Sequence, residues 1–447
     1  MNPEILVIGA GKSATVLIQY LQTKAVENNW YIVLADGNAA VANSKWNNAP
    51  NGHAVGIDIE NKENRAALIE KATVVVSMLP PSLHFLVAQD CVQYGKPLFT
   101  ASYVDDNMKS MAAVIEQKQI LVLCEMGLDP GIDHMSAMEL IHSIQDKGGK
   151  ITGFKSHCGG LIAPESDNNP WHYKISWNAN NIILAGKSGA LYMEHGQEKK
   201  LGYDNLFENA PSVEVPAIPS VELPSLGELS YYPNRNSLSY IDTYSLDKVQ
   251  NFIRTTLRHP HFFLGWNAIV QLGLTDESQV ALKENTSIKD WIQNHLQTHS
   301  LENKYAAFLS NDIIKTQFEY IGFNSETPIP AQYKTSAAIL QWILENKWKL
   351  EPTDKDMVVM MHEIEYALDA KKYLVQSSMV QKGKNATETA MATSVGLPLA
   401  MGVCAYLKGE IKITGLHIPI HPSIYKPILK SLKEEGIVFE EITTEIK

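Results

Sequence analysis

Arginine is scarce in this chain: only Arg65, Arg235, Arg254 and Arg258 occur among 447 residues, and lysine supplies the rest of the 38 cationic side chains. Positive charge is short overall. The formal net charge is −11, so no basic footprint invites nucleic acid or an anionic membrane. Cysteine is rare as well. Cys91, Cys124, Cys158 and Cys404 stand far apart with no CxxC pair, which argues against a disulfide framework or a zinc knuckle. No histidine pair has metal spacing with a third ligand, and no metal is expected. Long apolar runs are missing too: Ile5–Gly11 and Ala72–Pro81 are punctuated by Gly or Pro and fall short of the ~18 residues of a membrane span. The start, MNPEILVIGAG, has an acid where a secretory leader needs positive charge. What remains is the expectation of a soluble, cytoplasmic chain, roughly three domain-lengths long. Its 45% hydrophobic content suits a large core.

The first 126 residues alternate short apolar strands with helical stretches. Ile5–Ile8, Trp30–Ala35, Thr73–Leu79, Leu98–Thr100 and Ile120–Cys124 read as strands, while Ala14–Leu21, His84–Gln93 and Val104–Lys118 carry helical spacing. Such alternation makes a doubly wound parallel sheet, whose ligands sit outside the carboxyl ends of the strands. From Ile151, strand-like runs (Thr152–Ser156, Tyr173–Trp177, Ile182–Ala185, Lys372–Val380) mix with turns and a Pro-rich stretch at Pro211–Pro224, the texture of an α+β domain. Between about Asp247 and Lys349 the pattern turns helical, as in an inserted subdomain.

Gly9-Ala10-Gly11-Lys12-Ser13-Ala14 is GxGxxA, set between a strand and a helix. Gly9 suits the tight turn, Gly11 a close approach of backbone to a pyrophosphate, and Ala14 close helix–strand packing. Lys12 and Ser13 open the helix, where free N–H groups and the dipole favour phosphate. Gly11-Lys12-Ser13 imitates the end of a P-loop, but Leu6 stands where that loop needs glycine. Asp36 ends the second strand, 22 residues after Ala14, and is placed to accept from a ribose 2′-hydroxyl. A 2′-phosphate there would meet its carboxylate, a repulsion of a few kcal/mol at an effective dielectric of ~20. The nearest cation in sequence is Lys45. NAD is therefore expected over NADP.

Three of the four arginines fall within the 24 residues from Arg235 to Arg258. The planar guanidinium fork suits carboxylates, so the cluster points to an acidic substrate; chance pairing with Asp242 or Asp247 is the bland alternative. Asp129 and Asp133 bracket the turn Pro130-Gly131; Asp129 is placed to point into a cleft, and Asp133 reads as a helix cap. Cys158 ends a strand and reads equally as a small buried residue or a site group.

The segments TASYVDD (Thr100–Asp106), GLDPGIDHM (Gly127–Met135), CGGLIAPESDNNPWHYKISW (Cys158–Trp177), YPNRNSLSY (Tyr232–Tyr240), RTTLRHPHF (Arg254–Phe262) and VGLPLAMG (Val395–Gly402) resemble the saccharopine dehydrogenase (L-glutamate-forming) family in order along the chain. The resemblance implies an oxidoreductase that interconverts saccharopine with glutamate and 2-aminoadipate 6-semialdehyde, using NAD or NADP, and working as a homodimer in lysine metabolism. It implies substrate contacts at Ala101, Ser102, Tyr103, Asp129, Arg235, Thr256, Leu257 and Arg258. It implies a cofactor lining of Met78, Leu79, Leu128, Asn178 and Ala179, beside Gly9, Gly11, Lys12, Ser13, Ala14 and Asp36. Asp36 is the residue type of the NAD-using relatives; NADP-using fungal members place a basic residue at this turn. Two positions depart from the family: Thr255 stands where Gly is usual, and Ile162 where Pro is common. Texture and resemblance together give an α/β expectation: a Rossmann domain over 1–126 completed by 392–447, an α+β substrate and dimerisation domain over 127–250 and 350–391, and a helical insertion over 251–349.

Saccharopine is a secondary amine with three carboxylates, which fits a demand for Arg235 and Arg258. Its oxidation requires a neutral nitrogen, hydride loss from the adjacent carbon, and water attack on the resulting imine. Asp129 is the first candidate for handling the proton and Cys158 the second. A carboxynorspermidine or carboxyspermidine synthase-like reductase would prefer acidic pocket groups for its polyamine. A non-catalytic nucleotide-binding scaffold is the other alternative.

Overall fold

A computed structural model of the chain describes residues 2–216 and 226–447. It divides into two compact units, Met1–Gly149 with Thr387–Val438, and Lys150–Ala386 with Phe439–Lys447.

The first unit is built on a parallel sheet, seven-stranded among the described residues. Its strands are β1 (Glu4–Ile8), β2 (Tyr31–Asp36), β3 (Gly52–Gly56), β4 (Val74–Ser77), β5 (Leu98–Thr100), β6 (Leu121–Leu123) and the late strand Gly415–His417. The order is Gly415–His417, β6, β5, β4, β1, β2, β3. Strands thus run outward in both directions from β1 and β4, which creates the switch point where such sheets bind ligands. β1 and β4 are apolar and buried almost throughout because helices cover both faces. β3, GHAVG, has no apolar run to betray it, since it lies half-exposed at the sheet edge.

Helix Ala390–Leu407 runs against the expectation that no segment matches a membrane span, for its length and composition suffice for one. Most of it is buried in this unit, which explains an apolar character all round. Gly396 lets it approach the helix Thr15–Asn28: a Cβ there would lie 2.8 Å from the Leu17 nitrogen.

The second unit centres on a mixed sheet, ten-stranded among the described residues. It comprises β7 (Lys150–Ile162), β8 (Ala190–Glu194), β9 (Gln197–Leu201), β10 (Ser212–Val215), β11 (Gly227–Pro233), β12 (Arg235–Asn236), β13 (Asn251–Arg258), β14 (Asp356–Leu368), β15 (Lys371–Lys382) and the final strand Glu440–Ile446. The main path is β10-β11-β13-β7-β14-β15 and the final strand, with β8 joining β13, β9 and β12. Helices Pro260–Gln271, Ile288–His299, Asp312–Ile321 and Ser336–Lys347 bury a core with Trp171, Trp266, Trp291 and Trp348, and Tyr232 of β11 joins it.

Several expectations shift. Asn251–Arg258 begins the stretch read as a helical insertion, yet it is a strand inside the sheet; it is buried on both faces, so it shows no alternation to mark it. Tyr173–Trp177 is irregular, with one bridge, Ile175 to Lys349, and Ile182–Ala185 falls at the end of the short helix Ala179–Ile183. The first unit extends to Gly149 because helix Ile132–Asp146 belongs to it. The end of the chain, expected to complete the Rossmann domain, divides: Thr387–Val438 does so, whereas Glu440–Ile446 pairs with β15. Much of the Pro-rich stretch Pro211–Pro224 lies outside the described residues.

Candidate active site

In the first unit the Gly-rich loop leaves β1 at the switch point. Gly9 has φ +106°, and a Cβ on it would sit 2.8 Å from the Met78 carbonyl oxygen. Glycine is needed there on both counts. Gly11 has nothing within 4 Å of where its Cβ would lie, so the space in front of the loop is open to a pyrophosphate. Exposed Lys12, half-buried Ser13 and buried Ala14 form a tight turn running directly into the helix Thr15–Asn28. Asp36 is locked at the end of β2: the Ala10 N–H donates to its Oδ2 (2.7 Å) and the Asn38 N–H to its Oδ1 (2.8 Å). Lys45 does not approach Asp36. Its ammonium donates to Thr15 Oγ1, and burial lowers its pKa. These residues fit a dinucleotide, with the loop amides toward phosphate and Asp36 toward a ribose.

Beside this loop the ends of β5 and β6 gather the remaining residues of this unit. The segment Gly127–Asp129 packs on Ala101–Tyr103: a Cβ on Gly127 would meet that of Ala101 at 3.1 Å, and the Tyr103 hydroxyl donates to Asp129 Oδ1 (3.3 Å). Met78 and Leu79 are half-buried at the end of β4, and Leu128 is buried. Asp133 does not occupy the cap position itself, which Gly131 takes. Its Oδ1 accepts from the Gly131 N–H (2.6 Å) in the first helical turn, so it still serves the helix end.

Two supports of this cluster carried no sequence signal. His84 stands with Nδ1 2.7 Å from Ser77 Oγ and Nε2 2.7 Å from Ser102 Oγ. Burial depresses its pKa to about 4, so the ring is neutral near pH 7. Glu125 takes the Val104 N–H on Oε1 (3.1 Å) and lies 2.8 Å from His134 Nε2 through Oε2. His84 meets Ser102 from 18 positions away and His134 meets Glu125 from nine, spacings that form no recognisable motif.

In the second unit the predicted substrate residues separate by strand parity. Thr256 pairs with Cys158 and with Tyr232, so Arg254, Thr256, Arg258 and Cys158 share the face that carries Tyr232. Thr255 and Leu257 face the other way. Thr255 Oγ1 lies 2.7 Å from His157 Nδ1, and Leu257 packs with Leu161, Met357 and Val359. Leu257 therefore offers its carbonyl alone, which accepts from Arg258 Nη1 (2.7 Å). The buried Arg258 guanidinium sits 5.1 Å from the Tyr173 ring centre and 5.8 Å from that of Phe262, and Arg254 4.4 Å from Tyr240. Such stacking holds the planar fork in one orientation. Arg235 is exposed at φ +52° in a segment tied to β13, where the Asn234 N–H donates to the Arg254 carbonyl and the Arg254 N–H to Ser237 Oγ. Asn178 caps the helix Ala179–Ile183, and Ala179 is buried. The fourth arginine, Arg65, is structural: buried, it donates to Asp90 Oδ2 (2.7 Å) and the Ile59 carbonyl.

The order of the parallel sheet, the open glycine loop at its switch point and Asp36 at the end of β2 define a dinucleotide-binding α/β protein. Residues 5–123 match the saccharopine dehydrogenase NADP binding domain, and residues 127–437 the saccharopine dehydrogenase C-terminal domain. The chain belongs to the saccharopine dehydrogenase family. It is 29% identical to the saccharopine dehydrogenase [NADP(+), L-glutamate-forming] of Saccharomyces cerevisiae, covering 99% of this chain and 100% of that one. It is 33% identical to the alpha-aminoadipic semialdehyde synthase of Arabidopsis thaliana and 30% to the mitochondrial one of Mus musculus. It spans 38% and 48% of those two longer proteins and is matched over 87% and 99% of its own length. The solved structure of apo histidine-tagged saccharopine dehydrogenase (L-Glu forming) from Saccharomyces cerevisiae superposes with a TM-score of 0.88 at 27% identity, covering 99% of this chain and 100% of that one.

Proposed function

We propose that the chain interconverts saccharopine with L-glutamate and 2-aminoadipate 6-semialdehyde in lysine metabolism, as a nicotinamide-dependent oxidoreductase. The observation that carries this reading is the row Arg254, Thr256 and Arg258 on one face of the second unit's sheet, in a family whose fungal members of the same length bear that activity in their names. A tricarboxylate needs several fixed guanidinium groups, and Arg258 has the stacked, buried setting in which such a fork is preorganised. The more exposed Arg235 takes an outer carboxylate.

The cofactor, when bound, supplies the hydride acceptor. Asp129, one of whose oxygens is engaged by Tyr103, receives the proton of the substrate amine. Ser102, oriented by His84, hydrogen-bonds the substrate. Cys158 shares the face of Thr256 and shapes the arginine row. Asp36 makes NAD the preferred cofactor, although the matching domain and the fungal relatives carry NADP in their names. A homodimer follows from the family resemblance alone. A cytoplasmic setting is supported by four buried free thiols, which suit a reducing compartment. The test is product analysis: saccharopine and NAD given to the purified chain are expected to yield glutamate in equal amount to reduced nicotinamide. Turnover of carboxynorspermidine without saccharopine turnover would overturn the assignment.

A further inference from the structure

Next to the Arg258 end of the arginine row, three imidazoles with no role in the proposed reaction converge in the second unit. His172 lies in the loop after β7, while His259 and His261 flank Pro260 where β13 passes into the helix Pro260–Gln271. One ring nitrogen from each lies within 4.8 Å of the other two, and His172 Nε2 is 3.2 Å from His261 Nδ1. Tetrahedral coordination at 2.0–2.1 Å per nitrogen sets ligand atoms about 3.3–3.4 Å apart, so this pair already stands at the spacing of two metal ligands. Sequence spacing hides the set, because His172 and His261 are 89 positions apart.

The surroundings are built to hold these rings. His172 adopts φ +50° between Trp171 and Tyr173, both nearly fully buried, so its backbone is turned at a fixed anchor. Its Nδ1 lies 2.6 Å from Asp167 Oδ2, which leaves Nε2 directed at His261. A carboxylate on the distal nitrogen of a ligating histidine is the usual outer support of a metal site: it fixes the tautomer and makes the ring a better donor. The other Asp167 oxygen, Oδ1, is buried without a hydrogen-bond partner, an unbalanced negative charge that a cation behind His172 would offset. Fully buried Gln317 donates to the carbonyls of both Pro170 and His261 (3.0 and 2.8 Å) and so clamps the two loops together. His259 uses Nδ1 to cap the helix by accepting from the His261 N–H, which leaves Nε2 for an ion.

We propose that His172, His259 and His261, backed by Asp167, form a binding site for a borderline divalent transition-metal ion such as Zn²⁺. All-imidazole donors select Zn²⁺, Co²⁺, Ni²⁺ or Cu²⁺ over Mg²⁺ and Ca²⁺, and three protein ligands leave a fourth position for solvent.

The test is titration of the untagged, metal-stripped chain with Co²⁺, read by its visible ligand-field absorption. One equivalent is expected to bind, to be displaced by Zn²⁺, and to be unaffected by Mg²⁺ or Ca²⁺. His172→Ala and His261→Ala should abolish the signal. His259→Asn, which keeps a capping oxygen, should weaken binding at least tenfold, and Asp167→Asn by 10–100-fold. Zn²⁺ should raise the melting temperature of the wild type and not of His259→Asn. Failure of the wild type to bind one equivalent, or equal affinity in folded His259→Asn and Asp167→Asn, would overturn the proposal.

Discussion

The imidazole of His84 bridges two serines, with Nε2 2.7 Å from Ser102 Oγ and Nδ1 2.7 Å from Ser77 Oγ. A neutral ring has one donor and one acceptor nitrogen, so the two hydroxyls are held in opposite senses and Ser102 is aimed by a buried group. Replacing His84 by Gln should lower kcat/KM for saccharopine by about ten- to a hundredfold with little change in the KM for dinucleotide, since misplacement of a positioning group costs on that order. Steady-state kinetics with each substrate varied checks this.

The same histidine carries a pH signature. Its folded pKa, about 4, lies below the ordinary imidazole value of 6.5, so between those values the unfolded chain binds more protons and stability rises with pH. Acidification from pH 6.5 toward 4 should therefore destabilise the wild type more than His84→Gln. Urea midpoints across that range measure the difference.

Asp36 is held by two backbone N–H groups, so its carboxylate cannot swing away from a 2′-phosphate. Asp36→Ser should shift the ratio of kcat/KM for NAD over NADP toward NADP by about tenfold or more, given a repulsion of a few kcal/mol at an effective dielectric of ~20. The ratio is read with both cofactors in the same buffer.

Arg258 is assigned to a substrate carboxylate. Arg258→Ala should weaken kcat/KM by about ten- to a hundredfold, the worth of about 1.5–3 kcal/mol for a charged hydrogen bond. Arg258→Lys should recover only part of it, because lysine lacks the planar fork that stacks on Tyr173.

Thr255 gives the opposite expectation. It points away from the arginine row and contacts His157, so restoring the family's glycine should leave the KM for saccharopine unchanged. It should cost about 1–2 kcal/mol of stability, from a lost hydrogen bond and a glycine within a strand. Substrate titration and urea unfolding on one preparation separate the two effects.

Much of the first unit could be read from the sequence because its signals are local. The glycines of Gly9–Ala14, the apolar β1 and the acid ending β2 lie within one βαβ stretch whose spacing encodes the site. Legibility fails where burial erases periodicity or where contacts join distant positions. β13 is covered on both faces and lacks alternation, and helix Ala390–Leu407 is apolar all round because it is buried. His84 meets Ser102 from 18 positions away, and His172 meets His261 from 89. Its place in the motif implicates Leu257, but parity turns its side chain into the core beneath the opposite face. The arginines marked their own importance by rarity, and Arg65 shows the limit of that signal, since its scarcity value is spent on Asp90.

The most direct measurement is the near-ultraviolet absorbance of reduced nicotinamide after saccharopine is added to the purified chain with NAD or with NADP. A saccharopine-dependent rise, faster with NAD, is expected from the arginine row and from Asp36. No rise with either cofactor would contradict the assignment of the chain as a saccharopine-oxidising enzyme.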